Sequence, residues 1–154
     1  MGANERLNTA DLLPLLEVPA DGRVLTFGSQ TTAYALEIAA ARPDVLIVAC
    51  ATTGDAIATV SERAVAERLD NIVVGDTPAG PLVDRALCVD GLAELDPRSL
   101  ISLRAAILPD GYALFVESAA PVAQPLTERL HEAGYTVVDA LDGALAGSTV
   151  IRAR

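Results

Sequence analysis

The stretch from Arg23 to Ala39, RVLTFGSQTTAYALEIA, constrains the fold more than any other part of this chain. It begins as a short apolar run, Val24-Leu25-Thr26-Phe27, and turns at Gly28. It then becomes helical, with Ala33, Leu36, Glu37 and Ala40 at helical spacing. Strand, tight turn at glycine, helix is the opening unit of a nucleotide-binding α/β layer. The turn carries Ser29, Gln30, Thr31 and Thr32 where a glycine-rich loop would be expected.

The same alternation runs through the rest of the chain. Thr9 reads as the cap of a first helix over Ala10–Leu16, with Asp11 in its first turn and Pro14 inside it. Pro19-Ala20-Asp21-Gly22 turns the chain into the first strand, Arg23–Phe27. Val45–Cys50 is a fully apolar second strand. Thr53-Gly54-Asp55 starts a helix whose Ile57, Val60, Ala64, Val65 and Leu69 predict one buried stripe. Ile72–Val74 and Arg85–Val89 are strands closing at Gly75-Asp76 and Asp90-Gly91. A helix opens at Pro97, and Leu108-Pro109-Asp110-Gly111 predicts a sharp turn into a fifth strand, Tyr112–Val116, that ends at Glu117. A helix over Leu126–Ala133 and two strands, Tyr135–Val138 and Ser148–Arg152, complete the chain.

Seven strands alternating with helices, without repeats or linkers, predict a doubly wound, mostly parallel Rossmann-like α/β sheet with one antiparallel strand near the C-terminus. The 154 residues form a single domain, with a helix and turn over 1–22 and the α/β core over 23–154. Hydrophobic residues make up 51% and aromatic residues only 3%, so the core must be aliphatic, which suits parallel strands covered on both faces.

Charge and reactive side chains exclude several chemistries. The formal charge is −10 and no basic cluster is visible, which argues against nucleic acid and anionic membranes as partners. All 11 basic residues are Arg, which excludes lysine-based Schiff-base or P-loop chemistry. His131 is the single histidine and sits in TERLHEAG, at an exposed helix end, so neither a two-histidine metal site nor a catalytic triad is expected. Cys50 and Cys88 lie in separate apolar runs and read as buried reduced thiols. No run is long enough to span a bilayer and no secretory signal is visible, so the expected location is the cytoplasm. An apolar composition with few charges favours a homo-oligomer or another protein partner.

Three local signatures resemble the class I S-adenosylmethionine-dependent methyltransferases, and the resemblance covers nearly the whole chain. Asn71-Ile72-Val73-Val74-Gly75-Asp76 is similar to the family's third strand, ending in the acid that contacts the adenine. Leu108-Pro109-Asp110-Gly111 is similar to its turn into strand five. His131-Glu132-Ala133-Gly134-Tyr135 is similar to its entry to strand six. The resemblance implies S-adenosylmethionine as cofactor, with Gly28, Ser29, Gln30, Thr32 and Asp76 at the cofactor positions, and no metal. It also implies Asp90 or Glu117 as a general base beside the acceptor if the protein is active.

The chain departs from the family pattern at specific places. Thr26 stands where strand one carries an acid, and Gln30 and Thr32 stand where further glycines let the backbone approach the cofactor. Ala49, Cys50 and Ala51 end strand two, where the family has the acid that holds the ribose hydroxyls. The expectation is therefore a methyltransferase-like binding or assembly module with a degenerate cofactor site. A diverged but active methyltransferase is the alternative. Thr31 or Thr32 is expected to cap the following helix, although the same hydroxyls at a helix N-terminus could hold a small anion. An NAD-binding protein or a receiver domain fits less well, because the glycine fingerprint of the one and the strand-one acids of the other are missing.

Overall fold

The computed structural model describes residues 8–28, 31–51, 53–75, 82–90, 96–117, 123–141, 144–145 and 148–154, without the side chains of 123–125. Strands β1 (Arg23–Phe27), β2 (Leu46–Cys50), β3 (Ile72–Gly75), β4 (Val83–Val89), β5 (Ile107–Glu117), β6 (Val138–Ala140) and β7 (Thr149–Ala153) form one sheet. Its order is β3-β2-β1-β4-β5-β7-β6. β1 to β5 are parallel, and β7 runs antiparallel to both β5 and β6. Helices α1 (Thr9–Leu16), α2 (Thr32–Ala41), α3 (Gly54–Ala66), α4 (Pro97–Ala105) and α5 (Ala123–Glu132) cover the sheet.

Period-two alternation along the strands builds two cores from one sheet. Val24, Ile47, Ala49, Leu87, Leu114 and Val116 point to the side of α1, α2 and α3. Leu25, Phe27, Val48, Cys50, Cys88 and Phe115 point to the other side, where Leu100 and Leu103 of α4 and Leu126 and Leu130 of α5 meet them. The sheet is therefore doubly wound, as the strand-helix alternation requires. Cys50 and Cys88 are both buried and pair with Phe27 from opposite neighbouring strands. Two strand spacings, roughly 9–10 Å, separate them, which is beyond disulfide reach.

Several expectations need correction. The cap of α1 is Asn8, whose side chain accepts from the Ala10 amide at 3.0 Å. Thr9 is instead buried, and its hydroxyl donates to the Glu37 carboxylate of α2. Val65 is not part of the α3 stripe and is 79% exposed, because α3 covers the sheet's outer edge and only Val60 and Ala64 are buried there. Leu108–Gly111 does not precede strand five. It lies within β5, where the register steps from Val83 opposite Ile107 to Arg85 opposite Tyr112. The extra residues bulge tightly against β4, and a Cβ on Gly111 would stand 2.4 Å from the Asp84 carbonyl oxygen. Only glycine allows that approach.

The N-terminal helix is tied to the sheet by polar contacts. Tyr112 donates its hydroxyl to the carbonyls of Leu15 at 2.6 Å and Leu16 at 2.9 Å. Arg85 stacks over the Tyr112 ring, 4.2 Å from its centroid, and donates to the carbonyls of Leu16 and Glu17. These bonds take up carbonyls that the end of a helix leaves without intrahelical donors. No helix of the described residues is long and apolar enough to cross a membrane.

Candidate functional site at the carboxyl edge of the sheet

Strand order reverses between β1 and β4, which start connections in opposite directions across the sheet. Ligands of doubly wound sheets sit beyond the strand ends at such a point. Gly28 makes the turn there with φ of 104°, a left-handed conformation suited to glycine. Its amide donates to the Cys50 carbonyl at 3.2 Å, and its carbonyl accepts from the Thr31 amide at 3.1 Å.

Thr31 occupies the cap position of α2 but its side chain makes no cap bond, contrary to the expected role. The hydroxyl is fully buried, donates to the Phe27 carbonyl at 2.6 Å and accepts from the Val89 amide at 3.0 Å. It thereby joins the ends of β1 and β4 across the crevice. Thr32 begins α2 and is half-buried. Ser29, Gln30 and Asp76 lie outside the described residues, so their expected cofactor roles have no structural counterpart here.

At the end of β2, Ala49, Cys50 and Ala51 are all buried. Thr26 is also buried, between Ala49 and Leu87 in the neighbouring strands. These four positions present no carboxylate to the crevice. Asp90 and Glu117 do come together: Val89 is opposite Val116 in the register, so the two acids follow at the ends of adjacent strands. Asp90 is half-buried with φ of 51°, and its amide donates to the Val116 carbonyl at 2.7 Å. Glu117 is half-buried and lies opposite Thr149 of β7.

His131 is on another part of the molecule. It is exposed near the end of α5, with Nδ1 3.1 Å from the Tyr135 carbonyl oxygen. Among the described residues no three His, Cys, Asp or Glu side chains gather as a metal-binding group. The Thr31 clasp was invisible to sequence reasoning, since a threonine in a polar turn carries no signal of a partner 58 residues away.

No protein-family model matches the chain, and no curated protein matches it. Solved structures do. An S-adenosylmethionine-dependent methyltransferase from Aquifex aeolicus superposes with a TM-score of 0.77 at 14% identity, over 95% of this chain and 88% of its own. Precorrin-6y C5,15-methyltransferase from Geobacter metallireducens gives 0.72 at 15% identity, over 95% and 86%. Precorrin-8w decarboxylase from Methanobacterium thermoautotrophicum gives 0.68 at 19% identity, over 95% and 88%. With this strand order and these neighbours, the chain has the fold of the class I S-adenosylmethionine-dependent methyltransferases.

Proposed function

We propose that this protein is a cytoplasmic methyltransferase-like domain that serves as a binding or assembly module and does not transfer methyl groups. The observation that carries this reading is the buried apolar end of β2, Ala49-Cys50-Ala51. The ribose contact that a carboxylate would make there is charge-assisted and worth about 1.5–3 kcal/mol. Its loss weakens binding by roughly tenfold to a hundredfold. The residues at this position do not fit the cofactor's ribose. Fold alone does not assign an activity, and one of the neighbours is described as a decarboxylase.

A second reading is favoured by the Gly28 turn and by the adjacent acids Asp90 and Glu117. In it the protein is a diverged methyltransferase, with Gly28, Ser29, Gln30, Thr32 and Asp76 around S-adenosylmethionine. Asp90 or Glu117 then takes a proton from a hydroxyl or amine acceptor.

Thermal denaturation with S-adenosylmethionine and its demethylated product separates the two. A ligand at 100 times its Kd stabilises a protein by about 2.7 kcal/mol. In a chain of this size that amounts to a rise of roughly 5–10 °C. The noncatalytic reading expects no rise at micromolar ligand, and a rise of several degrees there overturns it.

A further inference from the structure

The amino edge of the sheet carries a groove in which apolar and basic side chains meet. It lies between the end of α4 and the residues leading into β6, has a volume of about 450 Å³, and is lined in part by Ile107, Leu108, Pro109 and Val137. Val137 is 40% exposed, one of the few large apolar side chains left open to solvent among the described residues. Arg104 and Arg154 line the same groove, where among the described residues no carboxylate side chain joins them, and Arg154 also borders the adjoining groove that Asp110 and Asp139 line. Among the described residues, neither guanidinium has a carboxylate partner within ion-pair distance. Arg152 differs. It is paired with Asp139 at 3.7 Å, beside the adjoining groove that Asp110 also lines.

The groove is held in place by backbone bonds. The amides of Thr136 and Val137 donate to the main-chain oxygen of Arg154 at 2.9 and 3.0 Å, and the Arg154 amide donates to the Val137 carbonyl at 2.9 Å. The main-chain carboxylate of Arg154 is held by the Thr136 and Val137 amides, and the two unpaired guanidiniums leave the groove net positive over an apolar floor, which in a chain of net charge −10 complements a ligand of opposite charge with an apolar body. The volume is in the range of small-molecule sites, roughly 300–1,000 Å³. From the Glu117 end of β5 to Tyr112 is roughly 17 Å of strand, so this place is separate from the carboxyl edge. It does not depend on whether S-adenosylmethionine binds.

We propose that this groove binds a small amphiphilic anion, with its acidic group on Arg104 and Arg154 and its apolar body against Ile107, Leu108, Pro109 and Val137.

Titration of the full chain with octanoate and octyl phosphate, followed by amide NMR shifts, tests this. Saturable binding is expected, with the shifts centred on Thr136, Val137 and Arg154. Inorganic phosphate and 1-octanol, which each carry half of the ligand, should bind at least tenfold more weakly. The better of the two anions identifies a carboxylate or a phosphate as the natural head group. The double variant Arg104→Gln/Arg154→Gln should lose at least tenfold in affinity, while Arg98→Gln on the same helix should not. The proposal fails if the double variant binds as tightly as the parent, or if the shifts centre on Gly28, Asp90 and Glu117. Should the double variant not fold, octyltrimethylammonium on the parent protein decides: binding equal to that of octanoate overturns the proposal, and weaker binding supports it.

Discussion

The buried hydroxyl of Thr31 accepts the amide of Val89 at 3.0 Å, joining residues 58 positions apart in the chain. Val89 lies one residue beyond the last β1–β4 register pair, Phe27 with Cys88. Because β1 turns away at Gly28, its backbone no longer reaches that amide, and the threonine takes the strand's place. The same oxygen donates to the Phe27 carbonyl, so one side chain satisfies a buried donor and a buried acceptor.

Thr31→Val keeps the shape and removes both bonds. Leaving two buried backbone groups without a partner costs about 2–4 kcal/mol. Thr31→Ser, which keeps the hydroxyl, should recover most of the loss. Chemical denaturation of the two variants checks this, and a valine variant within about 0.5 kcal/mol of the parent would show that the clasp does not contribute.

Asn71 closes the entry to β3. Its side-chain amide nitrogen lies 3.0 Å from the carbonyl oxygens of Ala39 and Arg42 and 2.8 Å from that of Val45. Asn71→Ala should cost about 1–3 kcal/mol. Asn71→Asp should cost more, because a carboxylate would face three carbonyl oxygens with no proton to donate. Urea midpoints of the two variants, at unchanged slope, give the comparison.

Stability should fall at both pH extremes. Burial pushes the Tyr112 and Tyr135 phenols up from the ordinary value of 10.0. Their contribution is complete below that value and is lost as pH rises through the raised folded values, since only the unfolded chain releases the protons. Tyr135→Phe should flatten the alkaline decline, with a cost of about 1 kcal/mol from the lost bond to the Leu100 carbonyl. On the acid side, the Arg42 guanidinium and the Asp21 amide hold the Asp44 carboxyl below 3.8. That contribution is present above 3.8 and fades as pH falls, and Asp44→Asn should remove the acid sensitivity it causes. Melting temperature measured from pH 2 to 11 tests both slopes.

We predict self-association from the proposed binding role and from the β3 edge. Val73 is 49% exposed there and Val65 on the adjacent helix is 79% exposed. β3 pairs with β2 on one side and is the last strand of the sheet on the other. An apolar strand edge without charges is a template for pairing with a second copy. Light scattering should give the mass of two chains, and Val73→Glu should give one without loss of helix or strand content. A monomeric parent protein would rule this contact out.

The order of strands and helices, the two buried faces and the Gly28 turn were legible in the sequence. Apolar periodicity and turn residues are local signals, and a strand-turn-helix repeat leaves few ways to cover a sheet. The aligned acids Asp90 and Glu117 were legible for the same reason, because each ends a strand pointing the same way. The end of β2 was legible too, as Ala49, Cys50 and Ala51 lack a carboxylate wherever they fold. What only the tertiary structure decided depends on partners far away in the chain. Thr31 became a clasp instead of a cap because Val89 lies beside it, and Asn8 took the capping role because Thr9 faces Glu37. The Leu108–Gly111 segment joined β5 as a bulge because Asp84 lies against Gly111. Arg104 and Arg154, 50 positions apart, share a groove because β7 returns antiparallel beside β5. Residue type sets what each of these groups can bond, and the packed sheet sets which bonds are within reach.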